Sequence, residues 1–225
     1  MRFSHFSMAL ALAFFCGTAA AQTAPAEASH DDHAKALQAG REDVEEETLQ
    51  QIQAHIDHHL ENCKTKPAPG CCFMSGTYYE KIKKDYVQAR EYYDKACKIN
   101  ESYCWGLGKV YQEGLGVDVD TKSAVELYTK SCNAKNADGC LELANMYVVG
   151  VGVPQDFGKA YELFKETCDT AGQSKGHAGP GCFSIGLLYY TGNGVDRNVR
   201  LAKDYFAKSC ELGNDIGCEY YRRLH

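Results

Sequence analysis

Beyond residue 21 the chain has no apolar run long enough to cross a bilayer. It also lacks any basic run or basic helix face, and its formal net charge is −6. Nucleic acid and anionic membranes are therefore poor partners on charge alone. No cysteines stand at the close CxxC spacing of a zinc site. Gly-x-Gly elements occur, but without a Walker lysine or a preceding strand, so they are turns and not phosphate loops. What is present instead is cysteine, twelve of them in 225 residues.

Residues 1–21 read as a secretory signal peptide. Arg2 precedes the apolar run Met8 to Phe15, and small residues lead to Ala19-Ala20-Ala21 before Gln22. Cys16 would suggest a lipoprotein only with a small residue before it, and Phe15 stands there. Export to the periplasm or the medium changes how cysteines are read: in an oxidising compartment they suggest disulfides. Residues 22–41 are rich in Ala, polar groups and charge, and are expected to form a disordered leader. An acidic helix is expected from about Glu42 to Cys63, with Val44, Leu49, Ile52, Ile56 and Leu60 at helical spacing. Within residues 42–71 it serves as an N-terminal cap.

From Cys72 the chain repeats. First cysteines at Cys72, Cys104, Cys140 and Cys182 open four copies (72–103, 104–139, 140–181, 182–217), and Cys218 opens a truncated helix over 218–225. Four residues after each first cysteine comes Gly76, Gly108, Ala144 or Gly186. Seven after comes Tyr79, Tyr111, Tyr147 or Tyr189. Positions three and four apart share a helix face, so a small residue admits a neighbouring helix and a ring fills the space one turn on. Gly114-x-Gly116, Gly150-x-Gly152 and Gly192-x-Gly194 end the first helices. Asp120, Asp156 and Asn198 are N-caps for the second. Ala124, Ala160 and Ala202, then Tyr128, Phe164 and Phe206, then Cys132, Cys168 and Cys210 form one buried stripe. The first copy keeps Asp85, Ala89, Tyr93 and Cys97 but loses the glycine pair, as expected of a terminal unit.

The run Leu143-Ala-Asn-Met-Tyr147, then Gly150-Val-Gly-Val153, Asp156, Lys159-Ala160 and Tyr161-Glu-Leu-Phe164, resembles the Sel-1-like repeat family, relatives of the tetratricopeptide repeat. The resemblance covers roughly residues 72–218. It implies an all-α fold, an α/α solenoid of helical hairpins. The paired cysteines resemble the family's cysteine-rich secreted branch, whose members often carry the label β-lactamase or penicillin-binding.

Antiparallel hairpins bring the end of one copy close to the start of the next. Cys97 with Cys104, Cys132 with Cys140, Cys168 with Cys182, and Cys210 with Cys218 could each reach disulfide geometry. Closing such a loop stabilises by about 2–3 kcal/mol in the chain-entropy account. Cys63 meets two candidates, Cys71 and Cys72. Alignment on Tyr79 favours Cys72, leaving Cys71 as the odd thiol, open to another molecule, buried, or taking Cys63 itself.

The label β-lactamase implies a Ser-x-x-Lys nucleophile and a Lys-Thr-Gly strand, and neither occurs. Ser131 and Lys135 are four apart, but Lys135 falls in the turn between copies. His55 and His59 share a helix face where one cation could bridge them, with His58 beside them and His30, Asp31, Asp32 and His33 in the leader. A polar face that carries histidines is the simpler reading, and no cofactor is expected. Phe73, Trp105, Leu141 and Phe183 follow the first cysteines, and such a ridge could grip a protein or peptide partner. Trp105 and Phe183 are the leading pair; packing against a neighbouring copy is the alternative for all four. The stretch from Asp169 to Gly181 is six residues longer than its counterparts and reads as a flexible surface loop. The expected function is a disulfide-rich scaffold for protein–protein interaction. A weak β-lactamase and, from resemblance to respiratory-assembly proteins, a redox-linked assembly factor are the alternatives.

Overall fold

A computed structural model describes residues 53–54, 56–169 and 175–224; all regular structure among these residues is helical. The expected signal peptide, the leader, the start of the capping helix and His55 lie outside the described residues. The chain divides into two units, Met1–Tyr92 and Tyr93–His225.

In the first unit, helix α1 (56–65) carries Cys63 and continues two residues beyond its expected end. Helix α2 (Pro69–Tyr78) opens on a proline, whose missing N–H costs nothing at a helix start. A wide π turn, Tyr79–Lys83, then leads to Lys84 in the left-handed region (φ 56°). Lys84 therefore occupies, without glycine, the conformation that glycine takes in the later copies. Asp85 accepts from Gln88 N (3.1 Å) and starts helix α3 (Tyr86–Ile99).

The second unit continues with α4 (Cys104–Glu113), α5 (Thr121–Asn133), α6 (Ala137–Val149), α7 (Phe157–Asp169), α8 (Lys175–Thr191), α9 (Val199–Glu211) and α10 (Asp215–Arg223). Asp120, Asp156 and Asn198 cap α5, α7 and α9 through bonds from Ser123 N, Lys159 N and Leu201 N. Asn136 and Asn214 cap α6 and α10 in the same way, a start signal lying four residues before the cysteine used to align the copies.

In the second unit α5, α7 and α9 each pack between two first helices, that of their own copy and the one that follows. Ala124, Tyr128, Ala160, Phe164, Cys168, Ala202 and Phe206 are fully or almost fully buried, so the expected stripe is the core. The small residues face the rings as the spacing requires. A Cβ on Gly108 would lie 2.8 Å from Tyr128 Cε1, and one on Gly186 would lie 2.6 Å from Phe206 Cε1. In the turns both glycines are left-handed, and the second also makes a close approach: a Cβ on Gly152 would meet the Thr121 carbonyl oxygen at 2.5 Å. The turn of one copy thus rests on the start of the previous copy's second helix.

One expectation is corrected. Of the stretch read as a loop before Cys182, residues Lys175–Gly181 are helical and form the first turns of α8. Ala178 is fully buried, Gly179 accepts a hydrogen bond from Ser209 Oγ (2.7 Å), and Gly181 lies against the Phe164 carbonyl and Cys168 nitrogen. The helix reaches back to Lys175 because small residues at Ala178, Gly179 and Gly181 fit the seam.

Candidate interaction face

Successive first helices touch one another, α4 with α6, α6 with α8 and α8 with α10, more closely than successive second helices do. The first helices are therefore the inner row of the second unit. Their shared face carries Lys109, Gln112 and Glu113 on α4 and Asp138, Glu142 and Asn145 on α6. The base of this patch is Tyr128, fully buried, whose hydroxyl donates to Gln112 Oε1. Burial holds the Tyr128 phenol protonated far above its usual range, and the nearby carboxylates of Glu142 and Glu113 reinforce this. Glu142 is half-buried. Desolvation raises its pKa, Asp138 and Glu113 add repulsion, and Asn145 and Lys109 oppose. Asn145 Nδ2 donates weakly to Glu142 Oε2 at 3.5 Å. A partly desolvated carboxylate with one long hydrogen bond is suited to receive a further donor.

Trp105 and Leu141 flank this patch and are half-buried. Trp105 packs against the cluster of Ala124, Tyr128, Cys140 and Leu143, and Leu141 against that of Ala160 and Phe164. Phe183 lies against Phe206 (centroids 5.5 Å apart) and edge-on to Tyr220 (5.2 Å). Trp105 and Phe183 thus share one register position and a packing role, and each is only half-buried. Phe73, in the first unit, is also half-buried.

The cysteine pairs read from spacing are joined. Cα–Cα distances are 4.9 Å for Cys63–Cys72, 4.3 Å for Cys97–Cys104, 4.5 Å for Cys132–Cys140, 4.7 Å for Cys168–Cys182 and 4.5 Å for Cys210–Cys218. In the full 225-residue chain Cys71 is fully buried and disulfide-bonded, and no described cysteine is free; the odd thiol is expected of a chain from which residues 1–21 have been removed. Adjacent residues on a helix point about 100° apart, so Cys71 and Cys72 address different neighbours.

Sequence reasoning missed a second seam device. The residue before each second-helix cysteine is buried: Ala96, Ser131, Thr167 and Ser209. Ser131 Oγ donates to the Ser102 carbonyl (2.8 Å) as Ser209 does to Gly179, each tying a second helix to the start of its own first helix. Gly139, Gly181 and Gly217 leave room for these side chains. The signal was readable as a small hydroxyl residue beside Cys132, Cys168 and Cys210 and glycine beside Cys140, Cys182 and Cys218. Ser131 is thereby engaged in structure, and Lys135 reaches Glu166 (Nζ–Oε1 2.7 Å) from its turn.

Of the metal candidates, His59 is buried on α1 with its ring 6.1 Å from that of His58. Among the described residues, Cys132, Cys140 and Glu166 bring potential ligand atoms within 4.8 Å of one another. Those two sulfurs are bonded to each other, so the group offers no thiolates.

Over 49 residues the chain is 43% identical to a protein named Beta-lactamase HcpA from Helicobacter pylori, covering 21% of this chain and 20% of that one. It is 34% identical over 112 residues to Cytochrome c oxidase assembly factor 7 of Xenopus tropicalis (45% and 48% covered), and 32% identical over 87 residues to its Drosophila melanogaster homolog (35% and 32%). The chain thus spans less than half the length of these curated relatives. Among solved structures it is similar to a Sel1 repeat protein from Oxalobacter formigenes (TM-score 0.63, 22% identity, 74% of this chain and 73% of that one). It is also similar to c5321, described as a protective antigen of uropathogenic Escherichia coli displaying an SLR fold (TM-score 0.60, 28% identity, 76% and 36%). The family profile described as Sel1 repeat matches residues 70–100, 102–136, 137–169 and 179–214, more than half of the sequence and in phase with the helical hairpins. The chain belongs to the Sel1 repeat family.

Proposed function

We propose that this protein is an exported scaffold that binds another protein through the inner row of first helices. The observation that carries the reading is the half-buried Glu142, set between Lys109, Glu113 and Asn145 and flanked by Trp105 and Leu141 on successive first helices. Apolar anchors beside an under-bonded carboxylate match a segment that offers both an apolar and a donor side chain. Export is supported by the charged start, short apolar run and small-residue exit of residues 1–21, and by five cysteine pairs joined at bonding distance.

The test is crosslinking and affinity capture from the protein's own cells, comparing the unaltered chain with Trp105→Ala and Glu142→Gln. Loss of the same partner from both variants, with helicity and melting retained, supports the face. Unchanged capture by both removes it. A mature chain that does not begin near Gln22 would overturn the export assignment.

A second reading is an assembly factor acting through thiols, supported by the naming of two relatives as cytochrome c oxidase assembly factors and by the density of local disulfides. Fast, specific exchange with a partner thiol would favour it; inert bonds would count against it.

A further inference from the structure

The staples look equivalent in sequence, but their burial is unequal. In Cys63–Cys72, Cys132–Cys140 and Cys168–Cys182 both residues are buried, and Cys168 and Cys182 have no exposed surface at all. Cys97–Cys104 pairs a half-buried cysteine with a fully buried one. In Cys210–Cys218 both cysteines are only half-buried, which holds for no other pair with both partners described. Exchange requires a thiolate to approach one sulfur in line with the bond it breaks, so access at the sulfur limits the rate before any difference in redox stability does.

The surroundings of this last pair also differ in what its opening would disturb. Helix α10 packs on α9 and α8. Its seat is held independently of the sulfur bridge: Tyr220 lies 5.2 Å from both the Phe183 and Phe206 rings, and Asn214 N donates to the Ser209 carbonyl (3.0 Å). Opening Cys132–Cys140 or Cys168–Cys182, by contrast, would expose sulfurs inside the seam between two full hairpins, among Tyr128 and Leu143 or Phe164 and Ile185. Those bonds are shielded by packing that must first come apart.

We infer that Cys210–Cys218 is the exchange-competent disulfide of this protein, a site for covalent capture of a thiol, while the buried bridges are structural. An incoming thiolate forms a bond to one of the two sulfurs, the Cys210–Cys218 bond breaks, and its electron pair leaves on the other sulfur, which takes a proton from water. A second thiolate, or a neighbouring thiol of the same partner, then attacks the mixed disulfide. The partner leaves oxidised and the protein keeps two thiols, so two electrons pass from partner to protein. The inference concerns a different part of the second unit from the Lys109–Glu142 face, and each can fail without the other.

The experiment incubates the folded, oxidised chain with reduced glutathione, quenches at intervals with acid, alkylates, and maps each cysteine by mass spectrometry. Cys210 and Cys218 should acquire glutathione or label about ten-fold faster than any other pair, as expected for access-limited exchange. Cys97–Cys104 should follow, and helicity should stay unchanged through the first phase. In Cys210→Ser/Cys218→Ser the fast phase should vanish while the other bridges keep their rates. First opening at a buried pair, or all pairs opening together as helicity falls, would overturn the inference. Because the kinetic map of the unaltered chain decides the order alone, the test survives even if the double variant folds poorly.

Discussion

The first copy and the glycine-bearing copies solve the same problem, reversing the chain between two antiparallel helices, in different ways. In the later copies a glycine pair takes left-handed backbone twice, and at Gly152 and Gly194 the second glycine brings the turn against the preceding second helix. In the first copy a π turn and Lys84 do it, with only one left-handed residue and that one not glycine. A turn that must both reverse the chain and seat on a neighbour needs two residues without Cβ. The single left-handed position of the first copy is filled by lysine.

The largest effect should come from making a later turn resemble the first. Gly152→Val places a side chain in left-handed backbone and against the Thr121 carbonyl, which cannot move aside. It should destabilise by about 3 kcal/mol or more, read as a fall in the denaturation midpoint. A loss below about 1 kcal/mol would mean that the turn does not bear on α5 as described.

Next is the buried hydroxyl. Ser209→Ala removes the donor to the Gly179 carbonyl and should cost about 1–2 kcal/mol. Ala96 occupies the equivalent place in the first copy. Ala96→Ser should therefore gain nothing or lose stability, and a clear gain would show that an acceptor is available there too.

A smaller effect of opposite sign is expected at Lys84. Lys84→Gly relieves left-handed strain of roughly 1 kcal/mol, partly offset by the greater freedom of glycine in the unfolded chain. Thermal melting should show a rise in midpoint, whereas Gly114→Lys in a later turn should lower it.

The smallest is electrostatic. The folded pKa of Glu142 is raised, so the folded state holds its proton more tightly than the unfolded state does. The stability this contributes is full below the unfolded carboxyl pKa and is lost as pH rises through the folded one. Glu142→Gln should accordingly melt slightly higher than the unaltered chain at neutral pH, by less than about 1 kcal/mol, with the gap closing near pH 4. Asp169 runs the other way: a hydrogen bond and the charge of Lys165, with Lys208 beside it, depress its pKa, so its contribution is present at neutral pH and lost on acidification. A stability gap at Glu142 that widened on acidification would reverse the assignment of the desolvated carboxylate.

Much of this was legible in the chain itself. Cysteine, small residue and tyrosine at fixed intervals marked the first helices, and Asp120, Asp156 and Asn198 marked the starts of the second. The stripe of Ala160, Phe164 and Cys168 is the core it was expected to be. Sequence-adjacent cysteines pair because an antiparallel hairpin brings each helix end beside the next helix start. Helical phase is local, so a periodic sequence states it directly.

Tertiary structure alone decided the rest. Lys175–Gly181, rich in glycine, reads as a loop until the seam with Phe164 and Ser209 makes it helix. Alignment on Tyr79 chose Cys72 over Cys71 for Cys63, but the complete burial of Cys71 depends on which helix faces meet around it. Glu142 reads as one more surface acid until α4 brings Glu113 and Lys109, and α5 the Tyr128 hydroxyl, around it. Spacing fixes which residues share a helix face, whereas burial, and with it charge state and sulfur access, depends on which faces meet.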